Sequence, residues 1–398
     1  MLDVMKFTAQ AVSEIAINPS VKKELLSYGL QEFDGEVTAH FSKLLNDGNP
    51  EAVSSDNSKG TFSRLFENKA QQFESNQLNI KSQSAGSTIT DLEAFLKDKN
   101  MALYGPYLAE NHANSDKPLT VSFDPLDGSK TSSIGYILVP KTSSGSTANS
   151  GGLDAPNAIS NYELIEISGI DDDYAYNNPT LFVIIDDAGS SGGGGSVANT
   201  GSGSSSGNTS TRAIDCETLK STDIVELIMP KFRLNGNLAW QPWEQNILDM
   251  WVVTKDDISG LDINGKGILN NSSSKLWAGK QVSRRNGRDK NWLNPDIPFL
   301  ESDWKKDETE MVILISYKER SSEDSVDFEF KSVNDETTQT TKSSFFITKA
   351  FTLMAYANFD RCSTLANFLT DRGSGLHEGR RIYSYGGKLD FVLQPYVD

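Results

Sequence analysis

From Met101 to the end, the chain is a succession of short runs rich in β-branched and aromatic residues, punctuated by Gly, Pro, Asn, Asp and Ser. The runs are LTVSF, SIGYILVP, YELIEI, PTLFVIID, IVELIMPKFRL, NILDMWVVT, EMVILISYKE, VDFEFKSV, SSFFITKAFTLMAY and KLDFVLQPYV. Branched and aromatic side chains suit a pleated, half-buried surface, and turn residues between the runs mark hairpin connections. Helical periodicity is nearly absent here, apart from CSTLANFLTDRG. Many strands at this spacing predict mainly antiparallel sheets of β-sandwich type rather than a parallel sheet alternating with helices.

Residues 1–100 read differently. Leu2, Met5, Phe7, Val12, Ile15 and Ile17 fill one broad face of a first segment, and PSVKKELLSYGL opens with Pro19 and Ser20 as turn and cap. GEVTAHFSKLLNDG, TFSRLFENKAQQF and TITDLEAFLKDK keep helical spacing, the last with Thr90 or Asp91 as cap. The fold class is therefore α+β, a helical N-terminal region followed by β-sandwich domains. Residues 189–207 hold fifteen Gly or Ser in nineteen positions, a composition that buries no apolar surface and behaves as flexible coil. We read residues 1–100 as the helical region and 101–188 as a β-rich domain. Residues 189–211 are a flexible segment, favoured as a linker over a long hairpin loop, and 212–398 a second β domain.

Composition removes several classes of function. A formal charge of −17 and a pI near 4.7 oppose binding to nucleic acid and to anionic membranes, both of which need basic surface. No run approaches the ~18 apolar residues of a membrane span, and the amino terminus carries Asp3 and Glu14 without the apolar core of a signal peptide. The expectation is a soluble chain, cytoplasmic or exported by a non-classical route. Cys216 and Cys362, the two cysteines, are read as separate buried thiols rather than as one long-range disulfide. His40, His112 and His377 form no local ligand pair.

Several motifs carry candidate chemistry. In VSFDPLDGSK, Asp124 and Asp127 flank Pro125 and Leu126 directly after a strand-like run. DPLDGS resembles the metal signature of the lithium-sensitive phosphatase superfamily. The resemblance implies Mg²⁺ held by Asp124, Asp127 and the Leu126 carbonyl, with Gly128 and Ser129 toward the phosphate. That family also uses an upstream Glu-Glu pair and a downstream Trp-Asp site, and the chain contains neither. Asp-Pro and Asp-Gly are common turn dipeptides, so the favoured reading is a strand-to-strand turn.

Asp171, Asp172 and Asp173 are candidate calcium ligands, because calcium sites use clustered loop carboxylates, although the spacing fits no EF-hand loop. This acidic segment, with STDIVELIMPKFRL and DETEMVILISYKER, resembles an uncharacterised group of bacterial proteins, many from Bacteroidetes, that carry an acidic-YA-x-x-NP strand pair and a β-sandwich. No residue role follows from that likeness. The six tryptophans cluster between Trp240 and Trp304, and core packing is favoured over an aromatic platform. Trp240 and Trp243, flanking a turn in NLAWQPWEQN, are the pair expected to be exposed and to meet a ligand. DDISGLDINGKG reads as a hairpin loop, and SRRNGRDK is the one dense basic patch.

With no complete catalytic set, the sequence points to a non-catalytic binding or assembly protein meeting protein or glycan, with a secreted or surface-associated bacterial assembly as the expected setting. The alternative is a magnesium-dependent phosphate-ester hydrolase built on DPLDGS.

Overall fold

The computed structural model describes residues 1–31, 36–45, 60–80, 91–141, 161–186, 212–239, 241–269, 275–295, 297, 299–318, 324–334, 337–347 and 351–397. The Gly/Ser segment and Trp240 lie outside the described residues. The chain divides into two compact units. One comprises Met1–Gly193 with Trp240–Glu244, and the other Gly194–Ala239 with Gln245–Asp398. Among the described residues, no helix is long and apolar enough to cross a membrane.

In the first unit, α1 spans Leu2–Ile15 and α2 spans Pro19–Gln31. Proline fits the first helical position because its missing N–H would have no partner there. The residue that caps α2 is Asn18, whose side chain accepts from the Ser20 amide at 2.9 Å, rather than Ser20 itself. β1 (Val37–His40) and α3 (Phe41–Leu44) follow, where the sequence predicted one continuous helix. Val37 and Ala39 face a core, and four residues suffice for β1 to pair with a neighbour, so tertiary pairing overrides local helical spacing. α4 (Thr61–Ile80) and α5 (Leu92–Asp98) complete the helical stretch, and Asp91 caps α5 by accepting from the Ala94 amide at 2.8 Å.

The remaining elements are β2 (Met101–Gly105), α6 (Leu108–Asn111), β3 (Thr120–Phe123), β4 (Ser133–Pro140), β5 (Tyr162–Ile170), α7 (Asp172–Asn177) and β6 (Thr180–Ile185). They form a six-stranded sheet of order β1-β2-β6-β3-β4-β5, antiparallel throughout except for the parallel β3–β6 pair. Alternating side chains divide its two faces. Met101, Leu103, Val121, Leu181 and Val183 join α1, α2, α4 and α5 in one cluster. Ala102, Tyr104, Phe182 and Ile184 form a second cluster with Tyr107, Ala175 and Trp243. Residue 100 is therefore not a boundary in the fold: helices and strands share one core, which differs from the separate helical region expected.

The second unit is built on β7 (Val225–Leu234), β8 (Asn246–Val253), β9 (Ile258–Leu261), β10 (Gly267–Leu269), β11 (Lys275–Val282), α8 (Arg284–Asp289), β12 (Glu310–Lys318), β13 (Asp324–Asn334), β14 (Thr337–Ile347), β15 (Phe351–Asp360), α9 (Arg361–Asn367), β16 (Leu376–His377), β17 (Arg380–Tyr385) and β18 (Leu389–Val397). Three four-stranded sheets result, ordered β13-β14-β10-β9, β11-β8-β12-β15 and β16-β17-β18-β7. Their pairings are antiparallel apart from β10 with β14. Alternate residues of β8 and β12 serve different cores. Leu248, Met250, Met311, Ile313 and Ile315 cluster with Leu227, Phe232, Leu389 and Phe391. Trp251, Val253, Val312 and Leu314 cluster with Phe328 and Phe330 of β13. The mixed α+β class and the antiparallel character expected from the sequence are both present.

Cys216 and Cys362 form a disulfide across a separation of 146 residues, where the sequence favoured two separate thiols. Pairing over such a distance depends on the fold and is invisible to spacing.

In the first unit, α3 and α4 meet through three fully buried phenylalanines. Phe66 stacks on Phe62 with ring centroids 5.6 Å apart, and Phe41 lies 5.5 Å from Phe66. Phe66→Ala should cost about 3–5 kcal/mol through lost burial and a residual cavity. Urea unfolding of this unit checks it, and a loss under about 1 kcal/mol would show that the cluster collapses freely.

Candidate functional site

The residues chosen from sequence come first. Asp124 is buried at the end of β3, where its Oδ1 accepts from the Leu126 amide at 2.7 Å. Leu126 adopts the left-handed conformation, φ 57°, which a leucine enters only under local constraint. Asp127 is exposed, and its Oδ1 accepts from the Ser129 amide at 3.1 Å and from the Ser129 hydroxyl at 2.7 Å. These bonds hold the Asp127 carboxyl below its ordinary range. Each aspartate thus closes its own Asx turn.

Asp171 caps α7 by accepting from the Tyr174 amide at 2.8 Å, and Asp172 accepts from the Tyr107 hydroxyl at 3.0 Å. The backbone carbonyl of Asp173 accepts from Asn177 at 2.8 Å. Trp243 is 3 % exposed and packs on Phe182, so the exposed tryptophan expected from its turn position is instead a core residue. The physical reason is the second sheet face, whose apolar cluster of Ala102, Tyr104, Phe182 and Ile184 takes up the ring. Gln241, two residues earlier, donates to the Gly128 carbonyl at 2.9 Å. Trp243 and Ala175 of α7 thus share one sheet face, Gln241 links their segment to the DPLDG turn, and Leu126 of that turn packs against the cluster on the other face. Among the described residues, no group of three His, Cys, Asp or Glu is placed to hold a metal ion.

Three other tryptophans have described surroundings. Trp251 and Trp304 are buried. Trp292 is half-buried, with His377 stacked at 3.9 Å between ring centroids and the Arg233 guanidinium 4.8 Å from its centroid. In the basic patch, Arg284 is buried and donates to the Ala239 carbonyl, while Arg285 pairs with Asp289 one turn on.

What the sequence passed over is the surface of the β9–β10 hairpin. The hairpin itself was expected, and its backbone is closed tightly. Asp262 donates its amide to the Lys266 carbonyl at 2.7 Å, and its carboxylate accepts from the Asn264 and Lys266 amides, both at 2.8 Å. Gly265 takes φ 75°, a value that suits glycine. Lys266 Nζ then ties the tip to Asp327 at 2.9 Å and to Ser344 at 3.0 Å. On this ordered frame Ile263 is 102 % exposed, Leu261 65 % and Ile268 48 %. The register pairs Leu261 with Gly267 and Gly260 with Ile268, which puts Leu261 and Ile268 on opposite faces with Ile263 at the apex. This is an aliphatic finger. Scattered single apolar residues are ordinary on a surface, whereas here three aliphatic side chains stand exposed on one short, hydrogen-bonded hairpin.

A second polar centre was also hidden. Glu308 is 2 % exposed and accepts from the Asp256 and Lys305 amides, both at 3.3 Å. Burial, with the neighbouring Asp256 and Glu301 carboxylates, raises its pKa from 4.5 to about 7, against the lowering effect of hydrogen bonds from Thr254 and Asp256. Nearby, Lys305 pairs with Asp256, and Lys255 with Asp307 at 2.8 Å. Glu308 is thus a buried acid that titrates near neutrality. Its folded pKa lies above the unfolded value, so its contribution to stability is full below about pH 4.5 and is lost as pH rises through about 7. The difference amounts to about 3 kcal/mol. Glu308→Gln should therefore flatten the fall in stability between pH 5 and pH 8, read by thermal or urea unfolding; an unchanged slope would place Glu308 in a solvated setting. Compared with known proteins, the chain matches no family model, no curated protein and no solved structure.

Proposed function

We propose that this is a non-catalytic binding protein whose β9–β10 hairpin enters an apolar groove on a partner protein. The observation that carries the reading is the exposed trio Leu261, Ile263 and Ile268 on a hairpin already closed by Asp262 and anchored by Lys266. A preformed element binds without the cost of ordering itself, and aliphatic side chains on both faces suit insertion between two walls. Aliphatic tips favour a protein partner over a glycan, because sugar recognition draws on flat aromatic faces and the described tryptophan rings are buried or engaged. The stacked clusters of the second unit fit a β-sandwich-type scaffold presenting the finger. The Cys216–Cys362 bond favours an oxidising compartment, in keeping with a secreted or surface-associated assembly. The magnesium-dependent hydrolase reading would need ligands beyond Asp124 and Asp127, and no observation here favours it.

Because Ile263 touches so little, Ile263→Asp should leave stability within about 0.5 kcal/mol of the parent. A photo-crosslinking benzoylphenylalanine placed at 263, in cells that make this chain, should trap one discrete protein, whereas the same group at exposed Lys306 should not. Identical patterns from the two positions, or none from 263, would remove the proposal.

A further inference from the structure

A buried cation near the disulfide carries an inference independent of the hairpin. Arg361 is 3 % exposed at the start of α9. Its Nε donates to the Trp304 carbonyl at 3.0 Å, and its Nη1 lies 3.3 Å from Cys216 Sγ. Among the described residues no carboxylate stands within ion-pair distance of it, and Glu308 and Asp303 act on it only at longer range. Burial accordingly lowers its pKa. A guanidinium taken out of water is costly unless a counter-charge meets it, and a disulfide sulfur is neutral and a weak acceptor. A thiolate at the same position would supply the missing charge. The two cysteines differ in exposure: Cys362 is an exposed residue, and Cys216 is half-buried.

We propose that Cys216–Cys362 is a thiol-exchange site, in which a small external thiolate attacks Cys362 and Cys216 departs as a thiolate held by Arg361. The attacking sulfur forms a bond to Cys362 Sγ as the Sγ–Sγ bond breaks, and its electron pair leaves on Cys216 Sγ. The external thiol is oxidised to one half of a mixed disulfide, and Cys216 is reduced. Exchange runs faster when the departing thiol is the more acidic, and a neighbouring guanidinium makes it so. The attacking thiol is of low molecular weight, a class able to reach the exposed residue Cys362 beside the buried cation.

The oxidised full chain is incubated with glutathione, free thiols are trapped with N-ethylmaleimide, and the two cysteine peptides are mapped. Glutathione should appear on Cys362 and maleimide on Cys216. Arg361→Gln should exchange about three- to tenfold more slowly, with Arg361→Lys between it and the parent. If the Gln variant does not fold, the reduced parent decides: Cys216 should alkylate with a pH midpoint at least about one unit below that of Cys362. Glutathione shared equally between the cysteines, equal alkylation midpoints, unchanged exchange in a folded Arg361→Gln, or no adduct while the fold is intact would each overturn the assignment.

Discussion

The second unit depends on a sheet with two buried faces. Every residue of β8 is buried, and so are most of β12, because alternate side chains enter different clusters. A strand with both faces covered gains packing on each side and has no solvent face to tolerate polar residues. This fixes the register of the neighbouring strands, since a slip of one residue would exchange the two cores. It also sets where the hairpin stands. Ile258 and Leu269 at its base reach the cluster of Trp251, Phe328 and Phe330, whereas Leu261 and Ile263 lie beyond the reach of that core. The base is held by apolar packing and the tip by polar closure, so the aliphatic tip stays ordered and uncovered at once.

The buried polar groups of the same unit are organised around Trp304. Its indole N–H donates to the Glu308 carbonyl at 2.9 Å, and its own carbonyl accepts from Arg361 at 3.0 Å. One side chain and one peptide unit thus place an acid and a cation in low dielectric, where each is sensitive to proton or thiolate chemistry nearby.

Much of the strand content was legible because it is written in local chemistry. The branched and aromatic runs fall in strands, SSFFITKAFTLMAY being shared between β14 and β15, and Asp91 and the Asp262 turn behave as their residue types require. β1 was not legible, since VTAHFSKLL keeps helical spacing and only pairing with β2 makes it extended. Exposure was legible least of all. Trp243 and Ile263 both sit at turns, yet one fills a sheet face and the other meets solvent, and only the neighbouring core decides which. The disulfide and the Glu308 centre join residues far apart in sequence, so no spacing announces them.

The central claim is that the hairpin is a preformed finger before any partner arrives. Native-state hydrogen exchange at the Asn264 and Lys266 amides, both bonded to Asp262, tests it most directly. The account predicts exchange slowed at least about tenfold relative to an open chain in the free protein, and lost in Asp262→Ala. Exchange at open-chain rates in the parent would mean that the tip is not closed, and the exposed aliphatic residues would then be a loose loop rather than a binding element.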